Sequence, residues 1–430
     1  MMYNKSIETL PLEELRLLQN KRFLSLVNRL YQSVPFYKKQ FDDAGIHPSD
    51  IRGLVDLPRL PFTKKSDLRD NYPFGMFAVP MDEVRRIHAS SGTTGKPTVV
   101  GYTPHDLDIF DEVVARSLVC AGAQAGMKLH NAYGYGLFTG GLGLHGGATK
   151  LGMAVIPVSG GMTARQLTIL QDFKPEVICC TPSYAQTLSE AFEQIGFDTR
   201  DLAVKYAILG AEPWTEAIRQ QVENGLHVTA TNIYGLSEII GPGVSQEDFE
   251  ERGTGSYVWE DHFYPEVVDR DTGEPLPHGQ EGVLVFTTLT KEAFPLLRYW
   301  TNDICSIAYD NNAKRTHIKM SSIKGRADDM LIIRGVNLFH TQVEEVIHQF
   351  EFLSPSYRII VRKEGTMDTV AVEVESKIAD DTHHPDYQKR ICTALKDTIG
   401  LSMEVTLCAP GSIPRSEGGK LNRIVDERKS

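Results

Sequence analysis

Leucines recur at near-helical spacing close to the start of this 430-residue chain. Together with the charged residues between them, they predict an amphipathic helix over residues 12–34. The following stretch, 35–80, contains six prolines, which is typical of irregular chain with short helices. One of these short helices should begin after a cap at Thr63 or Ser66.

From about residue 128 to residue 260, short apolar runs alternate with segments of helical periodicity. Strands that alternate with helices of about 10–15 residues are typical of a parallel α/β sheet. Ligands of such sheets bind beyond the carboxyl ends of the strands. The expected strands cover 129–133, 154–157, 177–180, 206–209 and 228–234, the expected helices cover 163–173, 182–195 and 214–224, and 139–151 is a glycine-rich helix or loop.

The pattern changes on both sides of this α/β region. Before it, strands over 84–90 and 99–102 should form a hairpin, followed by a helix over 106–121. After it, three apolar runs between 263 and 310 are separated by turns and predict a small β-rich subdomain. The last part should contain helices over 341–350 and 385–398, with a strand over 370–374. A boundary at 326–329 therefore divides the chain into a large α/β domain, 1–326, which includes the β-rich subdomain, and a small α+β domain, 327–430.

Composition narrows the class of protein. With 41% hydrophobic and 23% charged residues, the chain is of the globular type. A net charge of −11 argues against nucleic acid or an anionic membrane surface as a partner. The sequence has no signal-peptide core and no run of about 20 apolar residues, so we expect a cytoplasmic protein. None of the six cysteines is spaced C-x-x-C, which removes zinc-ribbon and thioredoxin interpretations.

The predicted hairpin carries a loop whose sequence, over residues 90–97, is Ser-Ser-Gly-Thr-Thr-Gly-Lys-Pro. Glycines allow backbone N–H groups to approach an anion, hydroxyls donate hydrogen bonds, and lysine adds a positive charge. The pattern favours a phosphate clamp over a flexible surface loop. It is not a Walker A loop, which would need Gly at position 90 and Ser or Thr at position 97. The residues that would bind phosphate are Ser90, Ser91, Gly92, Thr93, Thr94, Gly95 and Lys96.

This loop resembles the phosphate-binding loop of the adenylate-forming superfamily, and its form S-S-G-T-T-G-K-P is most similar to the phenylacetate–coenzyme A ligase family. Further segments resemble motifs of the same family, and they are spread in order over most of the chain. They are Y-G-L-S-E over 234–238, G-A-E-P over 210–213, Y-W-T-N-D over 299–303, K-G-R-A-D-D over 324–329 and P-R-S-E-G-G-K-L-N-R over 414–423.

The resemblance implies a role for each of these segments in binding ATP. Tyr234 would stack near adenine, and Glu212 would accept a hydrogen bond from its amino group. Asp303 would hold the ribose hydroxyls, and Arg326 the ribose or phosphate end. Glu238 would help to coordinate Mg²⁺. The other nucleotide-binding positions implied are Gly210, Ala211, Asn232, Gly235 and Ser237.

Each segment also has a plain structural interpretation. The turn after Tyr234 could simply begin a helix capped by Ser237, and Glu212 could only complement a helix dipole. Asp303 could be a turn residue, and 324–339 a charged linker followed by an apolar strand. At position 302 the family's usual Gly is replaced by Asn, which also tolerates left-handed backbone geometry.

The resemblance also implies how the two domains cooperate. The domain 1–326 would bind ATP and the acid, and 327–430 would be a small mobile domain turning about Asp328. Gly335 would line the path of the pantetheine arm of coenzyme A. Lys420 would bridge the carboxylate and the α-phosphate, although most lysines are simply solvated. The catalytic residues implied are Lys420, Thr94 and Glu238.

A segment that alternates aromatic residues with glycine, 133–141, could form one wall of an apolar slot or a core-packed turn. In the resembling family a similar segment holds an aryl group. The segment contains no Lys or Arg, which argues against a dicarboxylate substrate. The implied pocket residues are Tyr135, Gly136, Leu137, Phe138, Gly140, Gly210, Ala211 and Ile239.

The resemblance therefore implies the adenylate-forming fold and an AMP-forming acid–thiol ligase. ATP, Mg²⁺ and coenzyme A would be required, an aryl acid would be the substrate, and a homodimer is expected. Two alternatives remain open from the sequence. The same fold could pass its acyl group, or AMP itself, to another acceptor, as in enzymes that adenylate a deazaflavin coenzyme. The chain could also be a non-catalytic nucleotide sensor, which fits poorly with Glu238, Asp303 and Lys420 occurring together.

Overall fold

A computed structural model describes residues 1–90, 96–327, 331–333, 336–364, 367–377, 384–416 and 423–429. Helices and strands alternate through most of these ranges. The α-helices are α1 (Lys5–Glu8), α2 (Leu12–Ser33), α3 (Pro35–Asp43), α4 (Lys65–Asp70), α5 (Pro104–Cys120), α6 (Thr139–Leu151), α7 (Thr163–Phe173), α8 (Pro182–Gln194), α9 (Glu216–Leu226), α10 (His340–Ile347) and α11 (His384–Ile399).

The strands belong to the sheets described below. They are β1 (Arg86–Ala89), β2 (Val99–Tyr102), β3 (Lys128–Asn131), β4 (Ala154–Ile156), β5 (Val177–Cys180), β6 (Tyr206–Gly210), β7 (Thr229–Leu236), β8 (Gly241–Glu247), β9 (Ser256–Val258), β10 (Phe263–Val268), β11 (Gly282–Thr288), β12 (Tyr299–Cys305), β13 (Ile307–Ala308), β14 (Lys319–Met320), β15 (Gly325–Arg326), β16 (Leu331–Ile333), β17 (Val336–Leu338), β18 (Leu353–Glu364), β19 (Met367–Ser376), β20 (Glu404–Cys408) and β21 (Ile424–Asp426).

The central sheet has its strands in the order β13-β14-β9-β8-β7-β6-β5-β3-β4. The five neighbours from β4 to β7 are parallel, as the alternation of strands and helices predicted. The remaining four strands continue the sheet with antiparallel pairing. The carboxyl ends of β6 and β7 therefore lie side by side at one edge of the parallel part.

Helices cover both faces of the parallel strands, which explains why β5 is buried along its whole length. On one face, α5 and the glycine-rich helix α6 pack together. A Cβ atom on Gly143 or Gly147 would lie 2.3 Å from Phe110 or Val114 of α5. The glycines thus allow the two helices to approach closely, and the segment 139–151, left open as helix or loop, is a helix.

The second sheet has four antiparallel strands in the order β10-β11-β12-β15. It is the β-rich region expected over 263–310. Arg298 connects it to the amino-terminal segment. The buried guanidinium forms an ion pair with Glu266 at 3.0 Å and donates to the carbonyls of Pro58 and Leu60 at 2.9 and 2.8 Å. It also lies over the Phe62 ring, 4.0 Å from the centroid.

The predicted cap of the short helix α4 was wrong. The helix begins at Lys65 with Lys64 as its N-cap, and the Lys64 N–H donates to the Asp67 carboxylate at 2.7 Å. The Thr63 hydroxyl is not available for capping because it donates to the Leu297 carbonyl at 2.6 Å. A carbonyl in the distant loop before β12 therefore accepts from the hydroxyl that the local pattern assigned to the helix cap.

The part of the chain from β16 onward, which we call the small unit, has its own sheet in the order β20-β19-β18-β21, with α10 and α11 packed on it. The part before β16 is called the large unit. Val343, Ile359, Val372 and Leu395 are fully buried in the core of the small unit. The two expected helices and the strand over 370–374 correspond to α10, α11 and part of β19. Within the described ranges, no helix is both long and apolar enough to cross a bilayer.

Candidate functional site

The predicted hairpin of β1 and β2 holds the two ends of the hydroxyl-rich loop together. The Ser90 N–H donates to the Thr98 carbonyl at 2.9 Å, and the Thr98 N–H donates to the Ser90 hydroxyl at 3.0 Å. The Lys96 ammonium lies over the Tyr72 ring, 5.5 Å from its centroid. The rest of the proposed phosphate clamp, Ser91, Gly92, Thr93, Thr94 and Gly95, falls outside the described residues.

A tight turn follows Tyr234 near the end of β7. A Cβ atom on Gly235 would lie 1.9 Å from the Gly241 carbonyl oxygen, so this position accepts only glycine. The hydroxyls of Ser237 and Thr139 are 3.0 Å apart, which ties the turn to the start of α6. The turn brings Glu238 to the edge of the sheet.

Glu238 is 6% exposed and has two close neighbours from the second sheet region. The Tyr299 hydroxyl donates to its Oε1 at 3.3 Å, and the Lys291 ammonium donates to its main-chain carbonyl at 3.4 Å. Burial lowers the pKa of Lys291 to about 8, against the opposing attraction of Asp106 and Glu238. Burial, reinforced by Glu238, raises the pKa of Tyr299.

Sequence reasoning missed Lys291, although it is only 3% exposed and lies beside the candidate metal ligand. Its ammonium lies 4.8 Å from the centroid of the Tyr102 ring and 5.2 Å from that of Phe294. The only sequence signal is a lysine in the largely apolar segment 289–297. That signal does not distinguish a buried lysine from an exposed one.

The donor set around Glu238 fits magnesium held mainly by its substrate. Mg²⁺ in nucleotide sites takes one or two carboxylates, and phosphate oxygens and water supply its remaining ligands. Among the described residues, no group of three or more His, Cys, Asp and Glu side chains could hold a metal ion. Glu238 as a single carboxylate ligand thus fits a magnesium site whose other ligands come from phosphate oxygens and water, and not a site formed by protein side chains only.

The candidate adenine and ribose residues are joined directly. The Tyr234 hydroxyl donates to Oδ2 of Asp303 at 2.6 Å. Burial of this hydroxyl, together with the Asp303 carboxylate, raises the pKa of Tyr234. Asp303 pairs with Arg326 in the register of β12 and β15. Residues from three separate motifs therefore lie together, although 92 positions separate Tyr234 from Arg326 in the sequence.

Asn302 adopts the left-handed conformation that its position requires, with φ of +68°. Its carbonyl accepts the Ala327 N–H at 2.6 Å, and its side-chain oxygen accepts the Trp300 indole N–H at 2.9 Å. The expectation that Asn tolerates left-handed backbone geometry at this position is confirmed.

The end of β6 supplies the second adenine candidate. A Cβ atom on Gly210 would lie 2.1 Å from the Ile233 carbonyl oxygen, and Ala211 has the unfavourable φ of +71°. The Glu212 carboxylate accepts the Ser183 hydroxyl at 3.0 Å and the Ser183 N–H at 3.2 Å. It thus satisfies donors at the amino terminus of α8.

The remaining nucleotide candidate, Asn232, lies on β7 between these groups. Its backbone N–H donates to the Glu247 carboxylate at 3.0 Å, and its side chain is half-buried. The position is close in the chain to Tyr234, but no hydrogen bond joins its side chain to any other candidate within the described ranges.

Tyr135 is the best-fixed residue of the candidate acyl pocket. Its hydroxyl accepts from the Asn131 amide at 2.8 Å and lies 3.2 Å from Nδ1 of His145. Burial raises its pKa to about 12. A Cβ atom on Gly136 would meet nothing within 4 Å, whereas one on Gly140 would lie 2.5 Å from the Phe138 ring.

The other pocket candidates differ widely in exposure. Leu137 is 66% exposed and Phe138 39%, whereas Ile239 is fully buried in the core. The Leu137 carbonyl accepts the Ala89 N–H at 2.9 Å, which fixes this segment against the hairpin that carries the hydroxyl-rich loop. The aromatic segment therefore lies beside the end of β1, directly before the hydroxyl-rich loop in the sequence.

Three predicted residues of the small unit, Asp328, Gly335 and Lys420, fall outside the described residues. The segment that contains Lys420 has described residues on both sides. Arg415 precedes it, and Arg423 follows it with a 3.2 Å hydrogen bond to the Pro355 carbonyl. Both arginines have partners in the small unit.

Comparison with known proteins explains this arrangement. The AMP-binding enzyme family matches residues 54–289, and the AMP-binding enzyme C-terminal domain matches residues 335–428. A phenylacetate–coenzyme A ligase of Thermus thermophilus is 60% identical over 100% of both chains. The chain belongs to the phenylacetate–coenzyme A ligase family of adenylate-forming enzymes. The predicted fold and the predicted class of enzyme, an AMP-forming acid–thiol ligase, are confirmed.

Other members of the family are almost as similar. The phenylacetate–coenzyme A ligase of Aromatoleum evansii is 52% identical over 98% of this chain and 96% of its own. That of Escherichia coli K12 is 50% identical over 98% of this chain and 97% of its own. The similarity thus extends over both units.

Solved structures add information on the arrangement of the units. A 2-hydroxyisobutyryl-CoA ligase in the postadenylation state, with an acyl-AMP bound, matches with a TM-score of 0.92 at 27% identity, over 99% of this chain and 92% of its own. The same protein in its thioesterification state, with CoA, matches over the same shares with a TM-score of 0.74. The present arrangement therefore corresponds to the postadenylation state of that ligase.

Proposed function

We propose that this chain activates an aryl carboxylic acid of the phenylacetate type with ATP and transfers the acyl group to coenzyme A. The observation that carries the proposal is the identity of 60% with a phenylacetate–coenzyme A ligase over the full length of both chains. The hydrogen bond between Tyr234 and Asp303 supports it, because it joins the candidate adenine and ribose contacts.

The proposed reaction has two steps. First, a carboxylate oxygen of the acid attacks the α-phosphorus of ATP, and the bond to pyrophosphate breaks, giving an acyl-adenylate. Second, the thiol of coenzyme A, losing its proton, attacks the acyl carbon and displaces AMP as a thioester forms. Neither step needs a covalent intermediate on the protein, so positioning and charge stabilisation supply the catalysis.

The described residues would orient the nucleotide. We propose that Asp303 accepts from the ribose hydroxyls while Tyr234 holds its carboxylate in place and stacks near adenine. The residues Gly210, Ala211 and Glu212 would form the other side of the adenine site.

Charge on the phosphates would be neutralised from three directions. The hydroxyl-rich loop with Thr94 and Lys96 would hold the departing pyrophosphate, and Lys420 would contact the carboxylate and the α-phosphate. Glu238, oriented by Tyr299, would help to hold Mg²⁺, which when bound neutralises charge on the phosphates. These roles rest on the family motifs and on the fit of the donor set around Glu238.

We propose that the aryl ring lies against Tyr135 and Gly136. The open space beside Gly136 and the fixed Tyr135 ring support this assignment. A panel of phenylacetate, benzoate and indole acids, assayed with ATP and coenzyme A, identifies the preferred acid. Thioester formation with no member of the panel would contradict the aryl specificity.

We further propose that 1–326 and 327–430 act as two domains that turn about Asp328 between the steps, and that the enzyme is a homodimer. The two TM-scores support the first point, because they separate the two states of one related ligase. Light scattering measures the mass of the assembly, and a mass of one chain would contradict the dimer.

The central test separates the two steps. Lys420→Ala should abolish acid-dependent pyrophosphate exchange but retain thioester formation from supplied acyl-adenylate. Loss of both activities, or of neither, would contradict the role of Lys420. Analysis of products with and without coenzyme A distinguishes the proposed reaction from transfer of acyl or AMP to another acceptor.

A further inference from the structure

Among the residues that the structure describes, an ion pair joins the segment directly before Lys420 to the large unit. Nε of Arg415 donates to Oε2 of Glu190 on α8 at 3.0 Å. Glu190 belongs to the large unit, and Arg415 lies five positions before Lys420 in the small unit. The pair thus spans the two units and lies, in the sequence, shortly before the residue assigned to adenylation.

Arg415 is held firmly inside its own unit. Its Nη1 and Nη2 donate to the two oxygens of Glu375 at 2.9 and 2.8 Å, and Nη1 also donates to the Ile413 carbonyl at 3.2 Å. Glu375 is fully buried and also accepts the Ile413 N–H at 2.6 Å. Because of this bidentate anchor, Arg415 would move with the small unit, and only its bond to Glu190 would break.

A second contact between the units lies nearby. Nε2 of Gln221 on α9 donates to Nδ1 of His348 at 2.9 Å, and Gln221 is itself held by Gln186 of α8 at 2.8 Å. A small cavity of about 20 Å³ lies between the units beside Arg415. Two polar contacts therefore join the described parts of the units in the arrangement that matches the postadenylation state of the related ligase.

We propose that Glu190 is a positioning residue that, through Arg415, holds the small unit in the arrangement used for adenylation. The pair must break before the small unit can take another arrangement for thioester formation. This inference rests on the proposed function. Because both side chains are 31% exposed, the pair shifts the balance between the arrangements and does not lock it.

Glu190→Gln tests this role because it removes one charge and leaves the Arg415 anchor intact. We expect pyrophosphate exchange to slow by about three- to fivefold, as for a partly exposed ion pair. Thioester formation from supplied acyl-adenylate should be unchanged or faster. Glu190→Arg, which opposes two guanidinium groups, should slow the exchange further. Glu193→Gln, at an exposed position of the same helix, should behave like the wild type.

Salt provides an independent check, since screening weakens exposed ion pairs. Added NaCl should reduce pyrophosphate exchange more in the wild type than in Glu190→Gln. Equal loss of both half-reactions in Glu190→Gln, or none in either, would overturn the proposal. The proposal would also be overturned if added NaCl reduced pyrophosphate exchange equally in Glu190→Gln and in the wild type.

Hydrogen exchange separates this inference from the proposed function. In Glu190→Arg, amides of α8 and of 413–416 should exchange faster than in the wild type without any substrate present. If the wild type lacks both half-reactions with every acid while hydrogen exchange is still faster in Glu190→Arg, the proposed function fails and the interface role stands. If hydrogen exchange is the same in Glu190→Arg and the wild type, the interface role fails whatever the activity.

Discussion

The Tyr234 hydroxyl donates a 2.6 Å hydrogen bond to Oδ2 of Asp303 and so joins the end of β7 to β12. Tyr234→Phe would leave that carboxylate oxygen without this partner. A hydrogen bond to a charged group contributes about 1.5–3 kcal/mol, so we expect KM for ATP to rise about tenfold or more. Steady-state kinetics with varied ATP measures this.

A tyrosine–carboxylate pair elsewhere provides the control. The Tyr309 hydroxyl donates to Oε1 of Glu260 at 2.7 Å, outside the candidate site. Tyr309→Phe should lower thermal stability and leave KM for ATP unchanged. Equal changes of KM in both variants would show that Tyr234 acts only through stability.

Glu238 and Tyr299 should have graded effects on the magnesium requirement. Removing an outer partner of a metal ligand typically costs 10- to 100-fold in affinity, so Tyr299→Phe should raise half-saturating Mg²⁺ about tenfold. Glu238→Gln, which removes the ligand charge itself, should raise it further. Titration of Mg²⁺ at fixed ATP measures both, and the assignment is wrong if Glu238→Gln titrates like the wild type.

Asn302 allows the backbone requirement to be separated from the side-chain contact. Asn302→Gly loses the bond to Trp300 but keeps the left-handed conformation, whereas Asn302→Ala loses the bond and also strains the backbone. The alanine variant should therefore be less stable than the glycine variant by about 1 kcal/mol. Denaturant unfolding followed by fluorescence compares them, and equal stabilities would contradict the argument.

The fully buried His130 should make stability depend on pH. Burial lowers its pKa to about 4, against the hydrogen bond with Gln166 that raises it. Between the ordinary pKa of about 6.5 and this value, the unfolded chain binds more protons, so stability falls as the pH falls. The loss from this group approaches about 3 kcal/mol at pH 4.

Thermal unfolding from pH 7 to pH 4.5 measures this dependence. In His130→Asn the midpoint should fall less steeply over that range. His105→Asn, at an exposed position of α5, should follow the wild type. If His130→Asn also follows the wild type, the buried imidazole is not responsible.

The helices and parallel strands were predictable because their burial follows from local pattern. The strand β5 is an unbroken apolar run, and α2 has one buried face. The glycines of α6 argue against a helix, since glycine weakens isolated helices. The reason for them becomes clear only in the folded protein, where they allow α5 to pack closely against α6.

The site was predictable as a set of motifs but not as a set of contacts. The partner of Glu212 is Ser183, and the cation beside Glu238 is Lys291, each brought in by tertiary structure. The same holds for Thr63, because its hydroxyl donates to the Leu297 carbonyl, 234 residues away in the sequence. Local sequence cannot report a partner chosen by long-range packing.

The contacts of Arg298 with Pro58 and Leu60 span 240 and 238 residues. Contacts of such separation form late, because a long loop must close first. During synthesis at about 5–20 residues per second, this delay is roughly 12 to 48 s. Throughout it, Phe23, Val27 and Leu30, which are fully buried in the finished protein, lack the later parts of their shared core, such as Phe263 and Val267. The nascent chain is therefore most exposed to aggregation before Arg298 emerges from the ribosome, and most dependent on chaperones.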